Sequence, residues 1–140
     1  MDLELDAEGP QVPGQAAEVI LLDTNALIWI DAGHPRSRAL VTRRDRLYVS
    51  PVSILELQLL QESGRVRLHH ASAQWLMEDD RWLVDEPPAG SWFLRATEVS
   101  WTRDPFDRLL VAHAQLRRWR LATADTQLIE RLGPSASVAL

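Results

Sequence analysis

The apolar residues of this chain fall in short blocks, and the blocks alternate between two periods. Val19-Ile20-Leu21-Leu22 is an unbroken run of β-formers, the pattern of a strand buried on both faces. Leu47-Tyr48-Val49, Trp82-Leu83-Val84 and Arg120-Leu121-Ala122 are further short runs, and Ser137–Leu140 is a candidate for a last one. Between them the pattern turns helical, around Ala26–Ala32, Pro35–Asp45, Ser53–Glu62, Ala71–Asp80, Gly90–Val99 and Thr126–Arg131. The strongest helix runs from Pro105 to Arg118, where Phe106, Leu109, Leu110, His113 and Ala114 recur at i, i+3, i+4 spacing. Short apolar strands alternating with helices predict an α/β domain, with a parallel sheet of four or five strands covered on both faces.

A chain of 140 residues holds one such domain and a sizeable core. Residues 1–17, with Gly9-Pro10 and Pro13-Gly14, read as a flexible acidic arm ahead of a domain over 18–140. Residues 1–18 carry five acids and no base, whereas the rest of the chain holds 15 acids against 15 arginines. The net charge of -5 therefore does not argue against a nucleic-acid partner, because local distribution matters more than the sum. Lysine is absent, so any phosphate contact falls to arginine. Cysteine is absent too, which excludes disulfides and thiolate metal sites and leaves oxygen ligands or the four histidines. No run approaches the roughly 18 apolar residues of a membrane span. The N-terminus has no basic segment followed by an apolar one. A cytoplasmic protein without membrane association is expected.

In open parallel sheets, sites form beyond the carboxyl ends of the strands, and acids fall at such places here. Asp23 ends the first strand, Glu56 lies in the first turn of the helix after the second, and Asp125 follows the fourth. Asp104 and Asp107 open the long helix. Several of these also have a purely local reading. Ser53-Ile54-Leu55-Glu56 fits a capping box. Asp104-Pro105 fits a capping aspartate followed by a proline at the first helical position, and Asp125 can cap its own helix. Asp23 resists that explanation, because an acid abutting a buried apolar strand is costly unless something compensates it.

Gathered at one edge, the carboxylates would repel one another and raise each other's pKa. A hard divalent cation removes the conflict, since Mg2+ prefers oxygen ligands and retains waters for substrate phosphates. An oxygen-only donor set suits Mg2+ or Mn2+ better than zinc. Helix N-termini at the same edge add positive partial charge and free amides for a phosphate.

Four blocks carry a resemblance: Leu22-Asp23-Thr24-Asn25-Ala26-Leu27-Ile28-Trp29, Ser50-Pro51-Val52-Ser53-Ile54-Leu55-Glu56-Leu57, Asp104-Pro105-Phe106-Asp107-Arg108-Leu109-Leu110-Val111-Ala112-His113-Ala114, and Leu121-Ala122-Thr123-Ala124-Asp125. In order and spacing, over about residues 19–140, they resemble the signature blocks of PIN domains, and most closely the VapC-type ribonucleases of toxin–antitoxin pairs. The resemblance implies a three-layer α/β/α fold and Mg2+- or Mn2+-dependent cleavage of RNA. It places Asp23, Glu56 and Asp107 at the family's acidic triad and Asp125 at its common fourth acid, these four being the implied metal ligands. Asp104 is an additional aspartate of the DPFDR form, counted with the catalytic group. Asn25, Ser53 and Thr123 match polar positions that steady the carboxylates, although Ser53 also reads as a simple cap. The family's usual residue at His113 is glutamine, so His113 reads as packing.

Arg103 and Arg108, beside the start of the long helix, are the first candidates for RNA phosphate contacts. Arg36, Arg38, Arg43, Arg44 and Arg46 are further candidates, or an ordinary solvated helix face. Trp29, Trp75 and Trp82 are expected to fill the core or a helix interface. The resemblance further implies a homodimer and a cognate antitoxin protein, with an exposed apolar groove near Trp29 and the Pro35–Leu59 region. Two rivals remain: a PIN nuclease of RNA processing without an antitoxin, and a non-catalytic α/β binding module whose acids are all caps. A P-loop is excluded by the missing lysine, and no GxGxxG fingerprint is present.

Overall fold

The computed structural model describes residues 18–42, 44–68 and 73–140. Its sheet is built outward from β1 (Val19–Leu22), the all-apolar run, which is hydrogen-bonded on both sides. The chain continues through α1 (Thr24–Ala32), a 3-10 turn (Pro35–Ser37), α2 (Arg38–Thr42), β2 (Arg46–Val49), α3 (Pro51–Glu62) and α4 (Trp75–Glu78). There follow β3 (Leu83–Val84), α5 (Ala89–Thr97), α6 (Pro105–Arg117), β4 (Arg120–Thr123), α7 (Thr126–Leu132) and β5 (Ser137–Ala139). All pairings are parallel, in the order β3-β2-β1-β4-β5. The α/β expectation holds, with the larger of the two strand counts.

The pleat sorts the strand residues into two cores. Ile20, Leu22, Leu47, Val49 and Ala122 face α1, α3 and the buried Trp75 and Trp82. Leu21 and Leu121 face the other way, onto Val111 and Ala114 of α6 and Leu128 of α7. Outside α6, Trp92 and Ala96 of α5 pack with Leu110, Ala112 and Val52. Each buried indole has a partner for its N–H. Trp82 donates to the Leu76 carbonyl at 2.9 Å, Trp92 to the Leu109 carbonyl at 2.8 Å and Trp75 to Asp79 at 3.0 Å. Among the described residues no helix is long and apolar enough to cross a membrane.

Several boundaries differ from the sequence expectation for identifiable reasons. The helix expected over Pro35–Asp45 is a 3-10 turn followed by a short α2, ending at Thr42. The chain must then turn into β2, and Asp45 accepts the Glu18 amide while Arg46 donates to the Glu18 carbonyl. The helix expected over Ala71–Asp80 is described only as Trp75–Glu78, since Ala71 and Ser72 lie outside the described residues. It stops because Asp79 is extended and its carboxylate takes the amide and guanidinium of Arg81. The helix expected from Ser53 begins at Pro51, with Ser50 as its cap. The acidic arm over 1–17 and Arg43 also fall outside the described residues.

His113 is packing, as expected, but it is not idle. Fully buried on α6, it lies 2.8 Å through Nε2 from Asp85, the residue that follows β3. Asp85 also accepts two hydrogen bonds from Arg117, at 2.8 and 3.1 Å. Burial pushes the Asp85 carboxyl up, but the hydrogen bonds and charges of Arg117 and His113 outweigh it and hold the group below its ordinary value. Burial likewise lowers His113, against the opposing pull of Asp85. Both folded-state values lie below the unfolded ones, so the unfolded chain binds protons more readily and acid removes this cluster's stability. That loss begins as pH falls through the ordinary histidine value of 6.5. We expect Asp85→Ala to cost about 2 kcal/mol by stranding a buried imidazole. His113→Gln, which keeps an N–H for Asp85, should unfold in urea like the native chain at pH 7.5. At pH 5.5 it should be the more stable of the two.

Candidate active site

The strand order fixes where a site can form. From β1 the chain moves to β2 on one side, and β4 later returns on the other side of β1. The crevice at the carboxyl ends of β1 and β4 is therefore the switch point of the sheet. Asp23 directly follows β1, Asp125 lies two residues beyond the end of β4, and Asp104 and Asp107 open the helix that leads into β4.

Asp23 is 5% exposed. It caps α1, accepting the Ala26 amide at 2.7 Å. The Thr123 hydroxyl of β4 donates to the same carboxylate and accepts the Asp125 amide at 3.0 Å. Burial pushes the Asp23 carboxyl up to about 6, with the charges of Glu56 and Asp125 adding to it and the two hydrogen bonds resisting. The cap therefore supplies part of the compensation that a buried acid at a strand end requires, a role its position after an apolar run does not signal.

Glu56 departs from the capping-box reading. Because α3 begins at Pro51, Ser50 accepts the Val52 amide and Glu56 is free of the helix start. Its carboxylate instead takes the hydroxyl of Thr24, 2.5 Å away on α1. The Ser53 hydroxyl, fully buried, stands 2.9 Å from the same Thr24 oxygen. Burial raises the Glu56 carboxyl, the Thr24 bond opposes this, and Asp104 adds its charge. Thr24 had not been singled out in the sequence. Its only signal was a hydroxyl next to the strand-ending acid.

Asp104 and Asp125 are exposed and do cap their helices. Asp104 accepts the Phe106 and Asp107 amides at 2.8 and 3.2 Å, and Asp125 those of Gln127 and Leu128 at 2.9 and 3.2 Å. Asp107 is different. Half-buried, it is pushed up to about 7 by burial and then by the charges of Asp104, Asp125, Glu56 and Asp23, and among the described residues its side chain has no hydrogen bond or ion pair. One carboxylate thus feels all four of the others, so the five acids from four segments do share a neighbourhood.

Their oxygens are not drawn into one ready-made cage. Among the described residues, no three acids or histidines are already spaced to hold an ion, and three of the five have an oxygen turned to first-turn amides. The donor set nevertheless fits a hard divalent cation. It is all oxygen, burial and then the charge of neighbouring acids lift three of its carboxyls, and among the described residues Asp107 has no side-chain hydrogen bond or ion pair.

The remaining candidates divide. Asn25 is exposed on α1 and, among the described residues, makes no hydrogen bond to these carboxylates. Arg103 is exposed beside Asp104, whereas Arg108 is half-buried and holds the Thr102 carbonyl at 2.7 Å, shaping the loop before α6. Arg36 is committed elsewhere, lying over the Trp29 ring and donating to the Leu140 carbonyl. Arg46 opens β2 at the amino edge of the sheet, opposite the acids, and so is not placed to hold RNA over them.

The PIN-domain family model matches residues 20–133. The chain is 30% identical over 115 residues to Ribonuclease VapC22 of Mycobacterium tuberculosis, covering 78% of this chain and 88% of that protein. Its fold is shared by a toxin–antitoxin complex from Klebsiella pneumoniae, at TM-score 0.63 and 20% identity over 89% of this chain and 97% of that one. It is shared also by VapBC2 from Rickettsia felis bound to a DNA fragment from their promoter, at TM-score 0.61 and 16% identity, over 86% and 98% of the two chains. With the matched span reaching from β1 to the end of α7 and the acids at its switch point, the chain belongs to the PIN-domain family, in its VapC-type branch.

Proposed function

We propose that this chain is a divalent-cation-dependent endoribonuclease and the toxin of a toxin–antitoxin pair. The observation that carries the reading is Asp107: a half-buried carboxylate raised by burial and by the charges of four other acids, with no side-chain hydrogen bond or ion pair among the described residues, in a chain related to a ribonuclease. Asp23 and Asp107 would hold Mg2+ or Mn2+ directly, with Glu56 and Asp125 completing the site or acting through water, and Asp104 beside them. When bound there, such an ion lowers the pKa of a coordinated water and offsets charge on the phosphorane-like transition state. The protein's own part is to orient the oxygens: Thr123 holds Asp23, Thr24 holds Glu56, and the amides of α1, α6 and α7 fix one oxygen of each capping aspartate. Arg103 supplies positive charge for the RNA backbone, and Arg108 acts chiefly through the loop it pins.

For the antitoxin, apolar surface is exposed within the expected region at Val41, Leu55 and Leu59, joined by Met77. An open groove of about 590 Å³ between α3 and α4 is lined by Ile54, Leu55 and Met77. Trp29, by contrast, is half-buried under Arg36 and stacked on His34. Phe93 and Leu94, exposed on α5, offer an apolar face for a second copy of the chain.

The deciding experiment digests RNA with the full chain in Mg2+ or Mn2+, with and without EDTA. Cleavage should disappear with chelation. It should also disappear in Asp23→Asn, whose amide oxygen still accepts the Ala26 N–H and so keeps the fold. Cleavage that survives both would end the nuclease reading.

A stability measurement tests the crowding itself. Asp107 is raised in the folded state, so its contribution is favourable at low pH and lost as pH rises from about 4 to 7. In EDTA at pH 7.5, Asp107→Asn should therefore be more stable than the native chain by about 1–2 kcal/mol, discounted for partial exposure. At pH 4 the gain should vanish. Arg103→Ala should raise KM, leave kcat nearly unchanged, and lower the salt dependence of RNA binding by about one counterion.

A further inference from the structure

Thr24 and Ser53 lie between two acids of the site without being acids themselves, and both are almost completely buried, at 4% and 0% exposure. The hydroxyl geometry has a definite direction. A threonine hydroxyl carries one hydrogen and a carboxylate only accepts, so the 2.5 Å contact is a donation from Thr24 to Glu56. The Thr24 oxygen is then left as an acceptor, and the 2.9 Å contact runs from Ser53 to Thr24. Burial of the two hydroxyls shields the Ser53–Thr24 contact from water, and in such surroundings hydroxyl chains polarise one another.

Local structure explains why these two residues meet. Thr24 is the first residue of α1, directly after Asp23, and Ser53 sits one turn before Glu56 on α3. The chain Ser53–Thr24–Glu56 therefore ties α3 to the very residue that follows the buried aspartate. It couples the position of one acid to the backbone of another.

Resting on the nuclease reading above, we infer that Thr24 is a positioning residue, fed by Ser53, that sets one Glu56 oxygen in register with Asp23. It acts through Glu56 and touches neither RNA nor cation. A valine at this place preserves shape and removes the donor, while a serine keeps the donor.

The test compares the full chain with Thr24→Val, Thr24→Ser and Ser53→Ala. Mn2+ uptake is followed by the electron-spin signal of the free ion, and RNA cleavage is resolved into kcat and KM. Thr24→Val should lose about 10- to 100-fold in Mn2+ affinity, the usual range for a lost partner of a ligand, with kcat falling and KM little changed. Thr24→Ser should recover to within about threefold, and Ser53→Ala should lose about threefold to tenfold by leaving the Thr24 oxygen short of a donor. Native-like Mn2+ affinity and kcat in Thr24→Val would overturn the assignment. So would equal impairment of Thr24→Val and Thr24→Ser, or, if Thr24→Val does not fold, an unimpaired Ser53→Ala.

A native chain that took up no Mn2+ would refute the nuclease reading instead. The Glu56 carboxyl carbon resonance in EDTA then still decides the local claim. A resonance moved in Thr24→Val but not in Thr24→Ser supports it, and one unmoved in both overturns it.

Discussion

The carboxyl edge of this sheet is governed by acids that the topology gathers together and will not let separate, three of them raised first by burial and then by their neighbours' charge. Asp23 is fixed by the end of the most buried strand, Asp125 by the end of its neighbour, and Asp104 and Asp107 by the helix between them. Because β1 and β4 are adjacent while their connections run to opposite sides, these positions cannot drift apart without unmaking the sheet. The core packing holds them there, with Leu21, Leu22, Leu121 and Ala122 fully buried directly beneath the acids. Stability in the core and tension at the edge are two sides of one arrangement, as expected where function is placed on a rigid scaffold.

Hydroxyls and amides decide how that tension is distributed. Thr123 on β4 holds the carboxylate of β1, and Thr24 on α1 holds the carboxylate of α3. Each threonine thus restrains an acid that belongs to a different segment. Helix starts do the rest, taking one oxygen from Asp23, Asp104 and Asp125. Among the described residues, Asp107 alone of the five is left without such a partner, which makes it the group with most to gain from a counter-charge.

Much of this was legible in the residues. The apolar run of β1, the periodicity of α6 and the acids at strand ends were sufficient for the fold class and for bringing the five carboxylates forward as candidates. The four blocks gave the family, which the matched span of residues 20–133 bears out. What escaped the sequence was mostly a matter of one or two residues at helix starts. Reading α3 from Ser53 instead of Pro51 leaves a capping box open for Glu56 beside its place among the acids, whereas Ser50 fills the cap and frees Glu56 for Thr24. Hydrogen bonds across 29 and 32 residues, such as Thr24 to Ser53 and to Glu56, leave no local pattern. The same is true of His113, whose partner Asp85 is 28 residues away. Conversely, the capping and ligand readings of the aspartates were posed as rivals, whereas a carboxylate has two oxygens and can serve one use with each.

That doubling of use has a consequence for how such a chain ages in a genome. An aspartate codon becomes an asparagine codon by a single G-to-A transition, and asparagine still offers one oxygen to a helix start. On the proposed nuclease reading, drift at Asp23 or Asp125 would therefore silence the chemistry while sparing the architecture. The product would be a well-formed but inert chain, still presenting the same outer surfaces to whatever binds them.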